Sequence, residues 1–555
     1  DHFEALYLLA IIAGRAGRPQ HAAELLARAV AVRPDHADAH YNRGVALEEL
    51  GRPQEALASY DRALACRRDH VAAHYNRGVV LGQLERTEEA AASYARAVAL
   101  QPDHAEAHHN RGVALAKLGR ASEALASYDR AIALRPQYAS AYNHRGAALA
   151  ALGRPEEALQ SYDRAIALQP DYAGAHDNRG VALMELERVR DALASHERAL
   201  ALQPDSAQAH YHRGNALRAL HRHAEAIASY RRALELEPEH ASAHWNLADC
   251  LLLLGDFVQG WKEYEWRWKF AAEPRPSAPL QPVWLGHEPL AGRTILLESE
   301  LGLGDTLLFC RYAKQLAGLG ARVILQVQPP LVPLLSGMPG VAEVVPPGLP
   351  PPASDYRCPM MSLPLAFRTD LATIPASVPY VRSHPSRVAA WAERLGTKER
   401  PRIALVWSGS AKIVNDKRSM SLSDMVALLR DGVDWLSLQK EVPQRDAALL
   451  ASRADIRHLG AELKDFADTA AVLDLVDLVL TIDTSVANLA GAMARPVWIM
   501  LPYSPHDWRW LLERSDSPWY PTARLFRQPR PGDWSGVIDR VGAALDVWLA
   551  RSTPA

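Results

Sequence analysis

The same six-residue phrase returns every 34 residues through the first half of this chain. It reads AHYNRG from 39 and again from 73, AHHNRG from 107, AYNHRG from 141, AHDNRG from 175, AHYHRG from 209 and AHWNLA from 243. One step back, ALYLLA at 5 is a divergent first copy. A fixed period of this length means one supersecondary unit in tandem, because so short a unit cannot bury its apolar face without stacking on its neighbours. Within a copy, AHYNRGVALEEL has helical apolar spacing, GRP turns the chain and EALASYDRAL forms a second helix. Gly44, Ala56 and Ala63 are small where the two helices cross, and Tyr60 is expected to fill the space between units. Pro34, Pro102, Pro136, Pro170, Pro204 and Pro238 end the second helix, since proline cannot continue it; Arg68 interrupts that series.

This pattern resembles the tetratricopeptide repeat over roughly residues 1–270. The resemblance implies about seven to eight units wound into a right-handed superhelix whose concave face is lined by the first helices. Asn42, Asn76, Asn110, Asn178 and Asn246 recur on those helices, and His144 and His212 stand at the two remaining steps. A primary amide carries both donors and an acceptor, so it can pair with a peptide bond whatever side chain that peptide bears. The row resembles the asparagine ladder in the repeat region of O-GlcNAc transferases, which implies a groove that holds an extended acceptor polypeptide. The alternative is a row of solvated polar residues inherited with the duplication. The histidines at 40, 74, 108, 176, 210 and 244 lie one repeat apart. That is far beyond the reach of ~2 Å metal bonds, so they are read as packing at unit junctions rather than as a metal site.

Net charge is −2, without the basic excess of a polyanion binder, which argues against nucleic acid as a partner. Cys66, Cys250, Cys310 and Cys358 show no C-x-x-C spacing, which fits a reducing compartment, and a cytoplasmic protein is expected. No apolar run reaches the ~18 residues of a membrane span. The chain opens at Asp1 without a methionine, and nothing in DHFEALYLLA demands a signal peptide.

After GWKEYEWRWKF the period stops, and the proline-rich stretch 271–290 reads as a linker. The aromatic residues Trp261, Tyr264, Trp266 and Trp268 are expected to cap the last repeat or to dock it on the next domain. From 291 the pattern alternates strand and helix, which means parallel sheets. TILLESE, RVILQVQ and VAEVVP are strands of a first half, 291–395, which continues after them as a looser stretch to about 385. IALVWSGS, DWLSLQ, LVLTID and PVWIMLP are strands of a second half, 396–555, closed by the helix WSGVIDRVGAALDVWLA.

Two such halves in series resemble the GT-B architecture of glycosyltransferases. The whole chain is therefore expected to be an all-α tetratricopeptide superhelix followed by an α/β GT-B fold of two Rossmann-like halves. Three stretches sharpen the resemblance. LGLGDTLLF is similar to the N-terminal loop of the heptosyltransferase-like family 9 glycosyltransferases, LTIDTSVANLAGAM to their nucleotide-diphosphate signature, and NDKRS to their phosphate loop. The first half would then hold the acceptor and the second the nucleotide-sugar.

Inverting transfer needs a base for the acceptor hydroxyl and positive or dipolar groups for the departing diphosphate. Asp305, after the glycine turn, is the candidate base; its plainer reading is a helix cap. Asp483, Thr484, Ser485 and Val486 open a helix whose N–H groups suit a phosphate. Lys417 and Arg418 would add charge, Ser408, Gly409 and Ser410 form a small-residue loop, and Gln439 and Lys440 match the position facing the nucleoside. Asn488 stands where the heptosyltransferases often carry histidine, which argues against their ADP-heptose donor. PYSPHDWRWLLERSDSPWYPTARLFRQ resembles the C-terminal segment of repeat-fused bacterial glycosyltransferases, including those that modify flagellin. There Asp507, Arg509 and Trp510 either shape the sugar pocket or pack the crossing between halves.

The expectation is a metal-independent protein O-glycosyltransferase without a resident cofactor, with homo-oligomerisation left open. Two alternatives remain: a glycan- or lipid-directed transferase whose repeats only assemble a complex, and a catalytically inactive scaffold.

Overall fold

The computed structural model describes residues 2–270, 281–348, 352–409, 416–503 and 507–552. The chain divides into two compact units, Asp1–Pro238 and Glu239–Ala555. The first consists of helical hairpins, each pairing a 13-residue helix with a 14-residue one, from Phe3–Arg15 and Pro19–Val32 to Ala207–Ala219 and His223–Leu236.

The repeated residues explain the hairpin. Gly44 lies where a Cβ would come within 2.5 Å of the Tyr60 ring, and the pair recurs as Gly78 with Tyr94, Gly112 with Tyr128, Gly146 with Tyr162 and Gly214 with Tyr230. The tyrosine therefore packs first within its own hairpin, and it also reaches the next unit: the Asn76 amide donates to Tyr60 Oη at 3.5 Å, and the Tyr128 ring stacks on His144 of the following hairpin at 5.9 Å between centroids. The recurring histidines do sit at junctions. His40, His108, His176 and His210 bring Nε2 to 2.9–3.1 Å from the carbonyl oxygens of Pro34, Pro102, Pro170 and Pro204. A second histidine series, His36, His70 and His104, caps the first helices by accepting the N–H of Ala39, Ala73 and Ala107. The hairpin turn needs a left-handed residue. Gly17, Gly51, Gly119 and Gly153 supply it at φ +67 to +72, whereas Glu85, Glu187 and His221 hold the same register at φ 57–59, at a cost of ~1–2 kcal/mol each.

Gly112→Ala should lower stability by about 1–3 kcal/mol, because the overpacked Tyr128 ring, 1% exposed, outweighs the helix propensity gained. Gly82→Ala, on an exposed helix face with nothing within 4 Å, should instead raise it by ~0.5–1 kcal/mol. Urea denaturation of the full chain followed by circular dichroism separates the two; changes of the same sign would contradict the packing argument.

The second unit opens with one more hairpin, Ala241–Leu253 and Phe257–Tyr264, and then holds two parallel sheets. Strands β1 (Thr294–Glu298), β2 (Arg322–Gln326), β3 (Glu343–Val345) and β4 (Tyr356–Pro359) form a sheet of order β3-β2-β1-β4. Strands β5 (Arg402–Val406), β6 (Asp434–Ser437), β7 (Ile456–His458), β8 (Leu478–Ile482), β9 (Val497–Leu501) and β10 (Ala523–Arg527) form a sheet of order β10-β9-β8-β5-β6-β7. The central strands β5 and β8 are buried throughout, as parallel strands covered on both faces must be.

Boundaries shift from the sequence reading in two places. The stretch read as linker to 290 already pairs at its described end: Trp284 N–H donates to Arg357 O at 2.8 Å on the edge of β4, and the Trp284 ring is buried. The helix Pro385–Leu395, assigned to the first half, packs on Phe466–Asp474 of the second, where Trp391 Nε1 donates to Asp468 at 3.1 Å. The aromatic residues after the repeats do dock the last hairpin within this unit. Trp261 meets Trp508 at 4.9 Å and Phe309 at 6.2 Å between ring centroids, while Trp266 stacks on His244 at 3.7 Å. Among the described residues the four cysteines are unpaired, and no helix is long and apolar enough to cross a membrane.

Candidate functional site

Open parallel sheets bind ligands at the carboxyl ends of their strands, where the strand order reverses and the connecting loops part. The first sheet reverses between β1 and β4, the second between β5 and β8. The chain leaves β1 into the helix Leu303–Phe309 and leaves β8 into the helix Ser485–Ala492. A cavity of about 580 Å³ opens at these ends. Asp305 lines it from the first sheet; Ser408, Gly409, Arg418, Gln439, Lys440, Asp483, Thr484, Ser485, Val486 and Asn488 line it from the second. Residues expected from three separate stretches of sequence are thus brought together. Lys417 is exposed and is not among the lining residues, and Ser410 lies outside the described residues.

Thr484 is extended, at φ −138 and ψ 170, and caps Ser485–Ala492 without a side-chain hydrogen bond to it; its hydroxyl instead meets that of Thr481 at 3.1 Å. The first N–H groups of that helix are therefore available to an anion. Asn488 braces the crossing. It donates to Thr484 O at 3.0 Å and accepts from the Tyr520 hydroxyl at 2.9 Å. A Cβ on Gly304 would lie 2.9 Å from the Asn488 amide nitrogen, so only glycine lets the helices from the two sheets approach this closely.

Gln439 has a different task from the one read in sequence. Its amide oxygen accepts the N–H groups of Trp407 and Ser408 at 3.1 and 3.0 Å, and its amide nitrogen donates to Ser408 O at 2.9 Å and Glu441 O at 3.0 Å. With both donors and both acceptor lone pairs engaged, the side chain stitches the loops after β5 and β6 and has nothing left for a nucleoside. The Lys440 ammonium donates to Leu463 O at 2.6 Å beside the cavity.

Charge in the cavity centres on Arg509, which the sequence reading weighed only as a pocket or packing residue. It is buried and pairs with Asp507 through Nη1 and with Asp305 through Nη2, joining the two sheets. Asp305 also accepts the Gly302 N–H at 2.8 Å, so it caps its helix as well as facing the cavity. Arg418 donates to Asp416 at 2.9 Å and lies 3.9 Å from Asp483. The tryptophans of the same stretch pack: Trp508 and Trp519 stand 5.6 Å apart in the aromatic core, and Trp510 is buried.

Burial and the neighbouring Asp507 push the Asp483 carboxyl up to about 7, against the opposing pull of Arg509 and Arg418. A carboxyl raised in this way takes up a proton on folding. Its contribution is complete below the ordinary value of 3.8 and is lost as pH rises through the folded value of about 7. Asp483→Asn keeps the shape and removes the titration. It should gain stability over the parent as pH rises from ~4 to ~7 and hold that gain above. Urea denaturation at pH ~5 and ~8 measures it, and an equal difference at both would contradict the shift.

On the repeat unit, the ladder is tied to its own scaffold. The amides of Asn42, Asn76 and Asn110 donate to the hydroxyls of Tyr7, Tyr41 and Tyr75, one repeat back, at 2.9, 3.3 and 3.1 Å. Asn178 donates to Asn143 at 3.0 Å, His144 Nδ1 lies 2.9 Å from His109 Nε2, and His212 Nδ1 donates to Asp177 at 2.9 Å. Burial and His109 hold the His144 ring down at about 4, so it is neutral. Asn246 is buried. Asn76 spends its second N–H on Tyr60 Oη, and the Asn110 oxygen lies 3.2 Å from His109 Nδ1, whereas the Asn42 and Asn178 amides each donate once across a junction, which leaves joining repeats and binding a chain compatible roles at those steps.

The tetratricopeptide-repeat family models match residues 7–73, 50–105, 75–139, 139–172, 178–238 and 213–260. The N-terminal region is therefore an array of tetratricopeptide repeats. Protein FlbA of Caulobacter vibrioides is 27% identical over 327 residues, 54% of this chain and 54% of that protein. The chain thus spans about half the length of that curated relative. Among solved structures, YrrB, described as a TPR protein with an unusual peptide-binding site, is 28% identical and covers 34% of this chain and 96% of its own, with a TM-score of 0.32. TTC0263, a thermophilic TPR protein of Thermus thermophilus, is also 28% identical and covers 33% and 99%, with a TM-score of 0.29.

Proposed function

We propose that this chain is a glycosyltransferase that moves a sugar from a nucleotide-sugar to a Ser or Thr hydroxyl of a polypeptide bound by the repeats. The two sheets would be the halves of a GT-B fold of the heptosyltransferase-like kind. One observation carries the reading: an uncapped helix end, two arginines and a carboxylate from the facing sheet converge on one cavity at the switch points of both sheets. In the proposed reaction the acceptor oxygen attacks the anomeric carbon as its bond to the diphosphate breaks. The leaving charge is met by the N–H groups of Ser485–Ala492 and by Arg418. An incoming diphosphate would compete with Asp305 for Arg509 Nη2, and the released carboxylate would take the hydroxyl proton. Side chains and a helix dipole meet the charge, so the reaction as proposed needs no metal ion.

The test is transfer from labelled nucleotide-sugars to a mixture of proteins, lipids and free glycans. Label in protein that is released by β-elimination supports the reading. Label confined to lipid or glycan removes the polypeptide acceptor, and no turnover of any donor leaves a scaffold.

A further inference from the structure

Three departures from the repeat consensus meet at one point of the first unit. Asp177 stands in the register of Tyr41, Tyr75 and Tyr211, His196 in that of Tyr60, Tyr94, Tyr128, Tyr162 and Tyr230, and His212 in that of Asn42, Asn76, Asn110 and Asn178. They come from three successive helices, Ala173–Glu185, Val189–Leu202 and Ala207–Ala219. His196 Nδ1 donates to Asp177 Oδ1 at 2.7 Å, and His212 Nδ1 donates to Asp177 Oδ2 at 2.9 Å. One ligand atom from each residue lies within 4.8 Å of the other two.

We propose that Asp177, His196 and His212 bind a divalent transition metal of the Zn²⁺ class, with a fourth position open to water or to a polypeptide in the groove. Two imidazole nitrogens and one carboxylate oxygen are the donor set such ions take in a tetrahedral site with one exchangeable position. The site is held from behind. The His196 ring is fully buried and lies against Gly180, where a Cβ would meet Cε1 at 2.3 Å, so glycine at 180 gives this ring its place. The buried His196 Nε2 has no hydrogen-bond partner. The Gln208 amide is 2.8 Å from His212 Nε2, the outer contact that sets which nitrogen of a metal-bound histidine carries the proton. On binding, each Nδ1–H gives way to the metal and the proton moves to Nε2. The Gln208 amide turns its oxygen toward the ring, and bonds of ~2.1 Å draw the three atoms together. The Asp177 and His212 side chains are 14% and 18% exposed, which leaves a path for the ion. The recurring histidines set aside as ligands in the sequence reading are a different series, each a full repeat from the next.

The experiment adds Co²⁺, then Zn²⁺, to the untagged full chain stripped with chelator. One equivalent of Co²⁺ should produce the visible absorption of a tetrahedral N/O site, and Zn²⁺ should displace it. The double variant His196→Tyr with His212→Asn restores the repeat consensus and so should keep its helical circular dichroism. It should bind Co²⁺ roughly 100-fold more weakly or worse, since even outer contacts of metal ligands are worth 10–100-fold. Asp177→Asn tests the carboxylate separately. No tetrahedral spectrum in the parent, or the same spectrum and stoichiometry in the folded double variant, overturns the assignment.

Discussion

Arg509→Met is expected to cost about 3–5 kcal/mol of stability, because it strands two carboxylates that the guanidinium now neutralises. Arg509 is 7% exposed and pairs with Asp305 and Asp507, whose side chains are 19% and 17% exposed. Burial would lower the charge on the arginine, yet the surrounding carboxylates more than offset it, and the guanidinium stays charged. Losing one partner of a buried pair is costly because the remaining charge keeps its desolvation penalty and loses its compensation. Methionine retains the apolar contact with Trp508, over whose ring the guanidinium now lies at 4.9 Å. Urea unfolding followed by tryptophan fluorescence reads the change, since Trp508, Trp510 and Trp519 surround the site. In the double variant with Asp305→Asn, part of the loss should return, a coupling of about 0.5–3 kcal/mol. A loss below ~1 kcal/mol would mean these pairs behave like solvated surface bridges, and the joining of the two sheets through Arg509 would be energetically empty.

Asp305→Asn should reduce sugar transfer by about 10²–10⁴-fold, the contribution of a positioned general base. Donor affinity should stay within a fewfold of the parent, because the phosphate contacts proposed for Arg418 and Ser485–Ala492 are untouched. Asparagine still offers an oxygen to the Gly302 N–H, so the helix cap survives, and Arg509 keeps Asp507 but loses the charge of Asp305, so the fold should lose about 1–3 kcal/mol and stay folded. The two readings of this residue therefore separate cleanly. If Asp305 only caps its helix, transfer by the folded variant matches the parent.

The repeats were legible because a 34-residue period repeats the same packing problem and each copy confirms the last. Even so, pattern could not say what a repeated side chain touches. Tyr60 closes its own hairpin on Gly44, and the asparagines join repeats through tyrosine hydroxyls, contacts that depend on how neighbouring helices cross. The capping histidines at 36, 70 and 104 carried a visible signal, a polar residue one position before each first helix. Only their contacts with the N–H groups of Ala39, Ala73 and Ala107 set them apart from the series at 40, 74 and 108.

In the second half the central strands were legible as buried apolar runs. Strands β4, β7 and β10 were not. YRCP, IRH and ARLFR each interrupt the apolar run with arginine, the first two are also only four and three residues long, and all three become strands through the neighbours they pair with. The loops of the cavity were found because glycine turns and strand-to-helix junctions mark themselves in sequence. The bracing task of Gln439 was hidden for the opposite reason: its hydrogen bonds run to backbone atoms more than thirty residues away in Trp407 and Ser408. The central position of Arg509 depends on Asp305, about two hundred residues earlier, and no local pattern could announce it.

The proposed function requires the cavity to be a nucleotide-sugar site. Its most direct test is calorimetric titration of the full chain, and of Arg418→Ala, with UDP, GDP, ADP and CMP. One nucleotide should bind with a stoichiometry near one and add roughly 2.7 kcal/mol of stability at a hundred times its dissociation constant. Arg418→Ala should weaken that binding by about tenfold or more, the loss of a charge-assisted phosphate contact. Binding of none of the four, or equal binding by the folded Arg418→Ala protein, would contradict it.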